Sequence, residues 1–147
     1  MFTKDDIEEK YSSGTRIFSA VILDNADLEN IFLSRISLNQ ANLNNANLKN
    51  ADLSDANLTK SSLIGADLCK AHLTGINLSN ANLSSADFTE SILTQANFKE
   101  ACLEKTSFLS AVLIEADLSG ANLSGANLLG ANPVSYTHLT LPTICSV

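Results

Sequence analysis

The chain has 147 residues, a net charge of −7, 5% aromatic residues and no tryptophan. That length suits one domain, but so few large rings exclude a globular core packed around aromatic side chains. The acidic balance argues against a direct nucleic-acid groove, which needs clustered lysine and arginine, and no apolar run approaches the roughly 20 residues of a membrane span.

The amino terminus, MFTKDDIEEKY, is acidic where a secretory signal would be basic and then apolar, so a cytoplasmic compartment is expected. Residues 1–15 read as a capping helix and turn. Thr3 suits an N-cap, Asp5 and Asp6 suit the positive end of the helix dipole, and Gly14 suits a left-handed exit. Phe2, Ile7 and Tyr11 would then lie over whatever follows and hide its edge.

From Leu23 to Leu128 a period of five runs without a break, and all 22 of its centres are Leu or Phe. The phenylalanines are Phe88, Phe98 and Phe108. Two residues before the centre stands Ala in 15 of the 22 units, the exceptions being Val21, Ile31, Ile36, Ser61, Ile76, Ser91 and Thr106. Neither a helix, repeating every 3.6 residues, nor a strand, repeating every 2, explains five. A short extended stretch followed by a corner does, and Asn, Asp, Ser and Gly at the remaining positions are corner-formers. Four corners close a square of about 20 residues, and stacking at about 4.8 Å gives some 5.5 coils in a rod roughly 26 Å long. The centres would fill the axis, with Leu43, Leu63, Leu83 and Leu103 in one line. A lone coil cannot bury enough to offset its ordering entropy, so only the stacked column is stable.

The A(N/D)LXX pattern over residues 16–132 resembles the pentapeptide-repeat family, and so does the lead-in carrying Tyr11, Ser12, Ser13, Gly14, Arg16 and Phe18, which is similar to that of many cyanobacterial members. The resemblance implies an all-β fold, a right-handed quadrilateral β-helix. Some members of the family act on DNA gyrase by presenting a duplex-like acidic rod.

After Asn132 the repeat stops at PVSYTHLTLPTICSV. One reading frame of a common sequencing adapter encodes VSYTHLTLPT, so residues 133–147 are read as a non-native tail, and the natural chain is expected to continue past Asn132. Tyr136, His138 and Cys145 then carry no functional information.

Catalytic chemistry is not expected. His72 stands just before a centre, an outward and solvated position, and Cys69 and Cys102 fall on different sides of the square, where they serve as fillers and cannot share a metal. No base is placed beside the many serines and threonines, so no enzyme, cofactor or metal is expected. Residues 20 apart should stack, pairing Glu29 with Lys49, Arg35 with Asp55 and Lys70 with Glu90, and Asn57, Asn77 and Asn97 could form an amide ladder. One surface departs from polarity: Ile92 and Val112 stand outward on one side, Ile114 follows a centre there, and Leu109 and Leu129 stack on the adjacent side. They form a candidate interaction patch, or else the seat of a segment expected downstream of Asn132.

Three functions are consistent with these features. The first is a non-enzymatic scaffold that contacts another protein. The second is gyrase modulation by DNA mimicry. DNA carries one charge per about 1.7 Å, so about 15 over the rod; residues 19–132 hold 12 acids and six bases, net −6, with the lysines interleaved among the acids. The third is a targeting module of a longer, truncated protein.

Overall fold

The computed structural model describes residues 2–132. One helix, α1 (Lys4–Ser12), precedes a four-sided column in which every side pairs in parallel with the residue 20 positions on. The bridging residue is always the one before a centre. Side 1 carries Ile22, Asn42, Ser62, Asn82, Cys102 and Asn122; side 2 runs from Asp27 to Asn127, side 3 from Phe32 to Asn132, and side 4 from Ile17 to Asp117. Leu43, Leu63, Leu83 and Leu103 are buried on side 1, one above another, as the period of five requires.

Each corner is a β-turn: Ala46 N–H, for example, donates to Leu43 C=O at 3.1 Å. The residue two past each centre has φ near +60°, which Asn50, Lys60 and Glu90 adopt without glycine. None of these residues is β-branched, because a branched Cβ is the worst fit to the left-handed region. The preference for Asn or Asp before the centre also has a cause. Its Oδ1 turns back to accept the N–H two residues on, as in Asn42 with Asn44 at 3.0 Å and Asp52 with Ser54 at 3.0 Å. Such Asx bonds fix the corner that the repeat needs.

The bore is apolar, and its exceptions are satisfied. Ser61 and Ser91 replace alanine and donate to the carbonyls of Leu58 and Phe88 at 2.6 and 2.7 Å, while Thr106 donates to Leu83 at 2.8 Å. Toward the carboxyl end three rings interlock. Phe88 and Phe108 stack at 5.2 Å, and Phe98 meets both edge-on from the opposite side.

At the amino end α1 closes with a capping box between Thr3 and Asp6. The backbone and side-chain bonds from Thr3 hold the Asp6 carboxyl below its ordinary pKa. Ile7 is fully buried against the column, and Phe2 reaches Phe18 ring edge to face at 6.2 Å. Gly14 takes the left-handed exit, φ 102°, and Arg16 folds back over the Tyr11 ring at 3.8 Å. The tail, residues 133–147, lies outside the described residues.

Candidate interaction surface

Side 3 builds the larger part of the expected patch. Ile92 bridges His72 below and Val112 above, so the two apolar side chains are stacked neighbours. Ile114 follows centre Leu113 on the same side. Across the corner, Ser110 N–H donates to Leu129 C=O, which stacks Leu129 on Leu109. All five residues therefore occupy two adjoining sides of the upper coils. Ile92, Val112, Leu109 and Ile114 are half-buried, and Leu129 is 72% exposed. Ile92 and Val112, like Ile22, Phe32 and His72, stand where Asn or Asp accepts the corner N–H in most units, so the coil gives up a hydrogen bond at both positions, here on two stacked neighbours.

A second apolar group lies at the other end, where sequence reasoning placed only the helix. Ile17, Ile22 and Phe32 are 74%, 57% and 72% exposed. They occupy the outward position of the first coil, and an Ile or Phe there was the available signal.

His72 is exposed on side 3, as expected, and Cys102 and Cys69 stand on different sides. The stacking that separates them brings Cys69 together with Asp67 and Asp87, whose ligand-type atoms lie within 4.8 Å of one another. This trio follows from the offsets of 2 and 20 residues. Burial, then hydrogen bonding to Asp67 and Asp87, pushes the Cys69 thiol up to about 12, so it stays protonated near neutrality. Burial works against ionisation of Asp67, but the Cys69 thiol and N–H and the Lys49 ammonium, 3.2 Å away, outweigh it and hold its carboxyl low. Asp87 accepts the Thr89 N–H at 2.9 Å. Corner bonds and Lys49 account for the trio without an ion.

The expected charge ladder is partly redrawn. Lys70 and Glu90 pair at 3.9 Å, as expected. Lys49 instead takes Asp67, 18 residues on, while Glu29 accepts from Asn47 at 3.3 Å. The diagonal neighbour is close because it sits on the facing edge of the same side; Ser62 with Asn44 repeats the offset. Among the described residues Arg35 and Asp55 form no ion pair, since Asp55 leans into the space that Gly75, lacking a Cβ, leaves open. Nor do Asn57, Asn77 and Asn97 bond one another. Their amide oxygens accept from Thr59, Ser79 and Lys99, each in its own corner.

No helix of the described residues is long and apolar enough to cross a membrane. A family model described as pentapeptide repeats matches in overlapping copies between residues 22 and 130. No curated protein matches the chain. Among solved structures, full-length QnrB1, a plasmid-mediated fluoroquinolone resistance protein, is similar at TM-score 0.59 and 18% identity, over 80% of this chain and 71% of that one. A trypsin-treated QnrB1 variant is similar at TM-score 0.48 and 23% identity over 78% of this chain, which spans only 61% of that one. A pentapeptide-repeat protein from Nostoc PCC 7120, alr5209, is 26% identical over 85% of this chain and 94% of its own, at TM-score 0.47. At 18% identity the likeness to full-length QnrB1 shows the fold, a right-handed quadrilateral β-helix, and no more.

Proposed function

We propose that this chain, which belongs to the pentapeptide-repeat family, is a non-enzymatic scaffold that contacts another protein through the patch of Ile92, Leu109, Val112, Ile114 and Leu129. The observation that carries the reading is the exchange made at Ile92 and Val112. Corner-holding Asn or Asp gives way there to apolar side chains that point out of the bore, at a cost of about 0.5–1.5 kcal/mol for each lost hydrogen bond. A surface that gives up local stability for apolar area is a contact surface. Comparing the proteins captured by the unaltered chain and by Leu109→Lys/Val112→Lys tests it. The altered chain should lose a partner, and identical capture by both would sink the patch.

The alternative, an acidic rod acting on DNA gyrase, shares its fold with QnrB1. Charge weighs against it: Lys49 and Lys70 sit among the acids of side 2 and pair with them. A supercoiling assay separates the readings, since gyrase inhibition or protection at micromolar chain would favour the rod.

A further inference from the structure

The corner at Ala20 differs from every one that follows it. From Asn25 onward the residue after the corner donates its N–H to the carbonyl of the preceding centre, as Ala26 does to Leu23 at 3.1 Å. Val21 N–H and Phe18 C=O, the pair that would close the first corner, are not bonded to each other, and neither has another partner among the described residues. Val21 is only 7% exposed, so its N–H is a buried donor left free. Such groups are rare, and one beside a cavity calls for an acceptor from outside the chain. That cavity is present. The bonds that tie α1 down reach the two corners flanking side 3, from Lys4 Nζ to Glu29 C=O at 2.6 Å and from Tyr11 Oη to Ser34 C=O at 2.9 Å. The Ala20 corner, between sides 4 and 1, receives neither, and the open edge there borders a groove of about 730 Å³. Its walls are Phe2, Phe18, Val21, Ile17 and Ile22. Lys10 is the one charged residue among its lining and forms no ion pair among the described residues. Ala20 takes the left-handed place, φ 56°, where every later corner has a polar residue or glycine, so no polar side chain overhangs the groove from this corner.

We propose that this groove binds a free fatty acid, its carboxylate held by Val21 N–H and Lys10 and its tail lying along Phe2, Ile17 and Ile22. The volume is that of a small-molecule site. The negative head follows from the two donors that face no acceptor of the chain, one of them an ammonium. The tail follows from the walls, which are aliphatic and aromatic side chains. A peptide suits the place less well. Ile17 and Ile22 stand on adjoining sides with the Ala20 turn between them, so their free backbone groups face different ways, and one extended backbone cannot pair with both. A hydrocarbon tail asks for no hydrogen bond and bends round the corner. The site stands at the opposite end from the face patch and does not depend on it.

The test titrates the full chain with dodecanoate, below its micelle concentration, and follows binding by amide NMR. Saturable submillimolar binding is expected, with shifts confined to the groove and a downfield move of the Val21 amide proton. Decanoate and octanoate should bind about fourfold more weakly for each two carbons lost, against about fifteenfold for a fully enclosed tail, because the groove is open on one side. Dodecylammonium, the same tail with the opposite charge, should bind at least about threefold more weakly, and Lys10→Glu should reverse that preference. Ile17→Ser/Ile22→Ser should weaken dodecanoate at least about tenfold. Both residues are mostly exposed, so the double variant should fold, and the tail-length series tests the groove without altering the protein. Absence of saturable binding, affinity indifferent to tail length or to head-group charge, a Val21 amide that does not move, or a dimer abolished by Ile17→Ser/Ile22→Ser would each overturn the proposal.

Discussion

Truncating Phe98 to alanine should be among the most damaging changes in the column. Its ring is fully buried and stands at right angles to two others, 5.8 Å from Phe88 and 5.7 Å from Phe108. Phe→Ala in a close-packed core costs about 3–5 kcal/mol, and two edge-to-face contacts account for about 0.5–1.5 kcal/mol each. Phe98→Leu keeps a side chain that already fills the bore on side 4 at Leu58, Leu78 and Leu118. It should lose chiefly the two ring contacts, about 1–3 kcal/mol. Phe32→Ala is the control: that ring is 72% exposed, and its loss should stay within about 0.5 kcal/mol. Urea titrations followed by far-ultraviolet circular dichroism give the three midpoints. A double-mutant cycle of Phe98→Leu with Phe88→Leu should return a coupling of about 0.5–1.5 kcal/mol. Because each coil leans on its neighbours, amide exchange in Phe98→Ala should speed first around Phe88, Phe98 and Phe108. Equal costs for Phe98→Ala and Phe32→Ala would refute the assignment of a packed bore and a solvated flank.

Leu63→Lys, a charge placed in the middle of the axis, should abolish the cooperative transition, as seen by calorimetry. Cys69 should react with iodoacetamide at pH 8 about a thousandfold more slowly than an ordinary thiol, because its pKa is moved from 9.0 to about 12; peptide-resolved mass spectrometry isolates this cysteine. Since that folded pKa is raised, its stabilisation is full below pH 9.0 and is lost as pH climbs toward 12. Asp6 has the opposite sign. Its lowered folded pKa means the capping box contributes fully above about pH 4 and fades as acid protonates the carboxyl. Thr3→Ala should remove about 0.5–2 kcal/mol from α1, visible as faster exchange at Asp6 and Ile7.

The period of five determined the square section, the stacking offset of 20 and the buried centres, while Thr3, Asp5, Asp6 and Gly14, outside the repeat, marked α1. It could do so because two inward positions per unit, repeated without a break, leave only one closed way to hide them. The same offset placed Ile92 directly under Val112 and brought Lys70 to Glu90. Stacking alone, however, does not say where a flexible side chain turns. Tertiary structure decided that Lys49 crosses to Asp67, that Asp55 leans over Gly75, and that the asparagine amides bend into their own corners instead of forming a ladder. In each case a diagonal neighbour, a missing Cβ or a free N–H lay nearer than the vertical partner. The open edge at Ile17 and Ile22 was also out of reach of the sequence. Which backbone groups α1 covers depends on where Lys4 and Tyr11 land, a matter of docking geometry that no periodicity encodes.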